Sequence, residues 1–266
     1  MQPLTISLVQ TQTAWHDPAA NRARFDRWFE ALPETAQLVV LPEMFSTGFT
    51  MASAEVAEPM DGPTVTWMRD RAAALGRTLC GSVVIEDGGR RFNRFLWVPP
   101  DGAVACYDKR HRFRMAGEHE HYDAGTARPV VRLGEWRILP LVCYDLRFPV
   151  WLRNRGDYDL LLAVANWPAP RQAAWNALLR ARAIENLAYA AGVNIVGTDG
   201  NQVPYTGGSA VYDPEGRTLA EAGDDACLLT VTLDGDALAD YRRRFPAWQD
   251  ADDFQLVNPT TDERSG

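Results

Sequence analysis

Leu4, Ile6 and Leu8 alternate with polar neighbours, which predicts a half-buried first strand. Asp17-Pro18 then supplies a helix cap and a first-turn proline, and Phe25, Trp28, Phe29 and Leu32 share one helical face. Leu38–Leu41 is an unbroken apolar strand that stops at Pro42-Glu43. A second amphipathic helix is predicted from Pro63, with Val65, Met68, Ala72 and Leu75 inward and Gly76 as its stop. Thr78–Ile85, Phe92–Val98 and Ala103–Tyr107 read as strands joined by Asp87-Gly-Gly89 and Pro99–Gly102 turns. Beyond a long polar stretch, Asp108–Thr126, come an apolar strand ending at Cys143 and another over Leu160–Ala165. The longest helix is predicted over about Arg171–Ala190, ending at Gly192, with a stripe of Trp175, Leu178, Leu179, Ala183 and Leu187. Val193–Val196 follows as a strand, then Ser209–Tyr212, Arg217–Ala220 and Leu228–Leu233 as a final antiparallel set. The pattern predicts one α/β domain over residues 1–266, with helices outside β-sheets. Phe245, Trp248, Phe254 and Leu256 suggest that the C-terminal segment 241–266 packs as an arm or tail.

Composition narrows the setting. With 46% hydrophobic and 23% charged residues, the 266-residue chain reads as an ordinary globular protein with a large core. A net charge of −8 leaves no general basic field for nucleic acid or an anionic membrane. No apolar run approaches the roughly 18 residues of a membrane span. The start of the chain shows neither a basic leader nor a cleavage site. Four scattered cysteines (Cys80, Cys106, Cys143 and Cys227) favour a reducing, cytoplasmic setting over a disulfide framework.

Three strand ends carry candidate chemistry. Cys143 lies where Ile138–Val142 gives way to a turn and a helix start at Pro149, a place where a sulfur can face a crevice beside backbone N–H groups. Glu43 follows an all-apolar strand, so partial desolvation suits it to act as a base. Lys109 follows the Ala103–Tyr107 strand, and an ammonium fixed beside a thiol lowers its pKa and stabilises an oxyanion. Each has a plainer reading: a small buried hydrophobe, a loop acid and a solvated charge among Arg110, Arg112 and Arg114. Open α/β sheets gather ligands at the carboxyl ends of their strands, which would bring the three into one crevice. Glu118-His-Glu-His121 offers ligand-type residues, but its spacing lacks the helical His-Glu-x-x-His form, and no metal site is expected. Arg182 and Glu185 are spaced as a helical ion pair.

Leu-Pro-Glu43-Met-Phe, Tyr-Asp-Lys109-Arg-His, Cys143-Tyr-Asp-Leu-Arg-Phe-Pro149, Asn166-Trp-Pro and Arg180-Ala-Arg-Ala-Ile-Glu-Asn186 together resemble the carbon–nitrogen hydrolase (nitrilase) superfamily. Within it the chain looks like the bacterial Nit-type omega-amidase branch, over about Leu4–Leu256. The resemblance implies a four-layer αββα sandwich whose subunits pair through their helices as a homodimer or higher homo-oligomer. It implies Glu43 as base, Lys109 as oxyanion-stabilising cation, Cys143 as nucleophile and a second glutamate in the following loop, Glu118 or Glu120, with Glu118 preferred.

The leading expectation is therefore a cofactor-free thiol amidase. It would hydrolyse the ω-amide of a small dicarboxylic acid monoamide, such as 2-oxoglutaramate, through a cysteine thioester. Lys109 and the Tyr144 N–H would form the oxyanion hole. An arginine would hold the distal carboxylate, with Arg112, Arg114, Arg147 and Arg171 as candidates, and Trp167, Phe45 and Phe113 would wall the carbon chain. The same Glu-Lys-Cys set would also serve an N-carbamoyl compound hydrolase or a nitrilase. A different class, a small-molecule or metal-binding protein, would leave Cys143 structural.

Overall fold

A computed structural model describes residues 1–257; the last nine residues of the expected C-terminal arm lie outside this range. β1 (Leu4–Gln10), β2 (Leu38–Val40), β3 (Thr78–Asp87), β4 (Arg90–Val98) and β5 (Ala105–Asp108) lie side by side in one sheet. β6 (Val131–Leu133), β7 (Trp136–Val142), β8 (Leu160–Val164) and β9 (Tyr189–Val193) form the core of a second. β10 (Val196–Thr198) and β11 (Pro204–Thr206) make a separate hairpin. β12 (Ala210–Tyr212) and β13 (Thr218–Glu221) extend the second sheet beyond β9. β14 (Cys227–Leu233) then crosses to the first sheet and pairs antiparallel with β1, from Leu4↔Leu233 to Gln10↔Cys227. The expected final antiparallel set is thus split between two sheets.

The helices are α1 (Pro18–Phe29), α2 (Ser53–Val56), α3 (Pro63–Leu75), α4 (Glu118–His121), α5 (Pro149–Leu152), α6 (Gln172–Asn186) and α7 (Gly235–Arg244). Alternation along the strands assigns the layers. Leu4, Ile6, Leu8, Leu38 and Val40 join Ile138, Leu141 and Leu160 of the second sheet in one core. Their neighbours Val9, Val39 and Leu41 face the other way, against Phe25 and Phe29 of α1 and Val65, Met68 and Ala72 of α3. On the far side of the second sheet, Trp175, Leu179 and Ala183 of α6 complete the αββα sandwich. Burying side chains of this size contributes roughly 1.5–3 kcal/mol each.

The ends of some elements differ from expectation. α6 stops at Asn186, because Leu187 turns the chain in the left-handed region (φ 47°). Tyr189 and Ala190, expected as helix, instead open β9. Gly192 lies within that strand, where an added Cβ would come within 2.6–2.8 Å of Leu179 and Trp175. α7, hidden in the charged run before Phe245, docks through Arg242, which donates to Asp159 Oδ1 (2.7 Å) and to the Leu187 and Tyr158 carbonyls. The aromatics beyond it pack little: Phe245 is 55% and Trp248 47% exposed, while Phe254 lies against the Arg155 guanidinium.

Candidate active site

β1, β2 and β3 run parallel, and so do β7, β8 and β9, so their carboxyl ends cluster. β5, antiparallel to β4, points the same way as β3. Just past β2 the chain turns at Met44 (φ 40°), and Glu43 is left fully buried. Its Oε1 accepts hydrogen bonds from Lys109 Nζ (2.9 Å) and Asn93 Nδ2 (2.7 Å). Its Oε2 accepts one from the Asn166 backbone N–H (2.8 Å), while Asn166 Nδ2 returns to the Glu43 carbonyl (2.9 Å). A carboxylate oxygen has two lone pairs in the plane. Oε1 is filled, and Oε2 keeps one lone pair open.

Lys109, at the end of β5, is only 1% exposed and bridges two carboxylates. Besides Glu43 it meets Glu118 Oε1 at 2.9 Å and Oε2 at 3.0 Å. The long loop after Lys109 exists to deliver Glu118: α4 buries it, and the Phe113 N–H donates to its Oε2 (2.5 Å). Burial alone would lower the Lys109 pKa, but Glu118 and Glu43 outweigh it and hold the ammonium charged well above its ordinary range. Burial pushes the Glu118 carboxyl up, with Lys109 pulling it down and Glu43 adding to the rise. Glu120 points away, with its side chain 68% exposed beside His119.

Cys143 sits at the corner where β7 ends and a 3₁₀ turn, Cys143–Arg147, begins; its φ is 45°. Such a backbone is uncommon for a residue with a Cβ. Asp145 staples the corner: buried, it accepts from the Val142 N–H (3.0 Å), Tyr107 Oη (2.8 Å) and the His111 N–H (2.9 Å), and meets His111 Nδ1 at 2.7 Å. The sulfur corrects one expectation. Burial pushes the Cys143 thiol well above its ordinary range, and the Glu43 charge pushes it further; Lys109 opposes this without prevailing. This direction is opposite to the lysine-lowered thiol that was expected.

The characteristic sequence pattern of the carbon–nitrogen hydrolase family matches residues 5–243. The chain belongs to this family. It is 51% identical to the Omega-amidase YafV of Escherichia coli over 257 residues, spanning 96% of this chain and 100% of that protein. It is 30% identical to the 2-oxoglutaramate amidase of Bacillus subtilis over 251 residues, 92% and 96% of the two chains. XC1258 of Xanthomonas campestris, a superfamily member whose crystal structure carries an arsenic adduct in its active site, superposes with a TM-score of 0.95. That protein is 51% identical, and the match covers 97% of this chain and 100% of the other.

In this carbon–nitrogen hydrolase, Cys143 and Lys109 open onto a cavity of about 580 Å³. Tyr144, Arg147, Trp167, Phe113 and Arg171 line it as well. The Arg147 guanidinium stacks over Trp167 (4.8 Å), and Arg171 lies over Phe113 (5.4 Å). Phe45 does not belong there: the turn at Met44 sends it into the core between Phe25 and Trp67, and Phe49 lines the cavity instead. Arg112 is also outside, its guanidinium spent on the His119 and Tyr122 carbonyls, where it braces the Glu118 loop. Arg114 is exposed at the start of a 3₁₀ turn and is not among the lining residues. Several site residues carried little sequence signal. Trp15, His16 and the β10–β11 hairpin, with Asp199 and Tyr205, wall the mouth. Asn93 was legible only as a polar interruption in the apolar run Phe92–Val98.

Proposed function

We propose that this carbon–nitrogen hydrolase is an omega-amidase, cleaving the ω-amide of a small dicarboxylic acid monoamide such as 2-oxoglutaramate to the acid and ammonia. The observation that carries the reading is the cavity itself: Cys143, Lys109 and two guanidiniums face one space. Among the described residues neither Arg147 nor Arg171 forms an ion pair. A carboxylate brought into so apolar a space needs such a partner. The names of the E. coli and B. subtilis relatives support the same substrate class.

Glu43 Oε2, with its open lone pair, takes the Cys143 proton as the sulfur attacks the amide carbonyl carbon. Lys109 has three N–H bonds; Glu43 and Glu118 engage two, and the third joins the Tyr144 N–H on the oxyanion. Glu43 then returns the proton to the nitrogen as the C–N bond breaks, and ammonia leaves a thioester. Water, deprotonated by Glu43, attacks the thioester, and the thiol is restored as the acid departs. Glu118 keeps Lys109 charged and aligned. The steps require no cofactor. The residues also permit N-carbamoyl or nitrile substrates; the distal carboxylate distinguishes the monoamides from aliphatic nitriles, and direct comparison of rates distinguishes them from N-carbamoyl amino acids.

No described helix is long and apolar enough to cross a membrane, and all four cysteines are unpaired, which suits a cytoplasmic enzyme. Ammonia release should be measured across monoamides of four- and five-carbon dicarboxylates, neutral amides, N-carbamoyl amino acids and aliphatic nitriles. The dicarboxylate monoamides should have the highest kcat/KM, and Arg147→Gln should raise KM for them far more than for neutral amides. Neutral amides or nitriles with equal kcat/KM would remove the omega-amidase assignment and leave the family chemistry standing.

A further inference from the structure

Asn93 is 1% exposed and lies on β4, in the alternating row that includes Phe95 and Trp97. Those two side chains fill the core between the sheets, so a polar group in the same row is an expensive choice. Its position follows from register: the Asn93 carbonyl accepts the Lys109 backbone N–H (3.0 Å), one residue beyond the Arg94↔Asp108 pair. That bond places the Asn93 amide among the carboxylates that surround the Lys109 ammonium. Nδ2 donates to Glu43 Oε1 at 2.7 Å and reaches Glu118 Oε1 at 3.4 Å. Its own Oδ1 is buried with no hydrogen-bond partner among the described residues. An orphaned buried acceptor costs about 1–3 kcal/mol. The amide keeps this orientation because the reverse would aim an acceptor oxygen at two carboxylates.

We infer that Asn93 is a positioning residue of the reaction: its amide fills Glu43 Oε1, leaving Oε2 as the oxygen that exchanges protons with Cys143, and it keeps Glu43 and Glu118 apart. Lys109 alone would hold Oε1 through one bond and leave a second lone pair there to compete with Oε2 for the proton. With Asn93 on Oε1 and the Asn166 N–H on Oε2, the carboxylate plane is fixed from both sheets. The charged and titratable groups packed around it are Lys109 just past β5, Glu118 from α4, Cys143 after β7, Tyr205 from β11 and, beyond Glu118, Tyr122. A donor to a carboxylate favours its ionised form, so its loss favours the protonated form. The acid limb of the pH–rate profile should therefore move to higher pH when the amide is removed.

The inference rests on the amidase reading for its rate data, so a second readout is chosen that needs no amide: the pH dependence of Cys143 alkylation by iodoacetamide. In Asn93→Ala, kcat at neutral pH should fall about 10–100-fold with KM little changed, as for a displaced general base. Both the acid limb and the alkylation profile should move up by about one pH unit. Asn93→Ser restores one donor and should recover part of both effects. Thermal melting reports folding; should Asn93→Ala not fold, Asn93→Ser against the natural chain carries the same measurements. An unmoved acid limb and alkylation profile, with kcat within twofold, would overturn the role of Asn93 and leave the amidase reading intact. A protein inactive on every amide, yet with the shifted alkylation profile in the variants, would do the reverse.

Discussion

Cys143 combines an uncommon backbone with a thiol pKa raised by burial. Its left-handed φ costs about 1–2 kcal/mol for a residue with a Cβ, a cost that Asp145 and its four donors hold in place. Cys143→Gly and Cys143→Ala should both lack activity, but the glycine variant should melt at the higher temperature, since only it adopts that φ without strain. The raised thiol gives a second expectation. Its reaction with an alkylating agent needs Glu43 to remove the proton, so Glu43→Gln should slow Cys143 labelling as well as turnover. Turnover should fall about 10²–10⁴-fold in Glu43→Gln and in Lys109→Ala. Rapid labelling of Cys143 in Glu43→Gln would mean that the thiolate forms unaided. Glu118→Ala should be far more damaging to kcat than Glu120→Ala, because only Glu118 touches Lys109.

Among the elements, the β10–β11 hairpin and α7 do what their sequences barely announce. Gly200, in the hairpin turn, presses on Trp15 so closely that a Cβ would lie 2.4–2.5 Å from three indole atoms. Gly200→Ala should therefore push the hairpin off the cavity mouth, raising KM and costing about 1–3 kcal/mol of stability, as overpacking does. On α7, Arg242 shares Asp159 with Arg137. Burial would raise the Asp159 pKa, but the Arg137 and Arg242 hydrogen bonds outweigh it and hold the carboxyl below its ordinary range. A lowered carboxyl pKa stabilises the fold above the ordinary range, and that stability is lost as pH falls through the lowered value. Arg242→Ala should lower the melting temperature at pH 7 and narrow the difference between pH 7 and pH 3, with kcat nearly unchanged. The strand ends of the proposed site were legible because apolar runs that stop at Glu43 and at Cys143 are conspicuous, whereas Lys109, behind Asp108 and ahead of Arg110, stood out only beside the other two. The end of α6 was not, since Leu187 adopts the left-handed turn without a glycine to mark it. Phe45 was misplaced for a related reason: the positive φ at Met44 reverses the side that a neighbour of Glu43 faces.

The whole molecule was legible as layers of helix and sheet but not in its closure. Nothing in Cys227–Leu233 says that it pairs with β1 rather than with the strands just before it. The outer surface holds a further expectation. Val150 on α5 and Ile184 on α6 are 57% and 47% exposed, side chains that suit an interface between two copies. We propose that the protein is a homodimer joined through these helices. Sedimentation should then find twice the 29.6 kDa chain mass, and Ile184→Lys should shift it toward the monomer.

The pairing of β1 with β14 has a consequence for the timing of synthesis. β1 emerges from the ribosome first and must wait more than 200 residues for its partner, Leu4 meeting Leu233. Until then one edge of the strand beside β2 lies open, and contacts that span so much chain form slowly. Cotranslational folding should therefore leave the first sheet unsealed while the residues between β1 and β14 are made, a window open to aggregation. A chain stopped at Asp225 contains every side chain proposed for the reaction and should nonetheless collect in inclusion bodies.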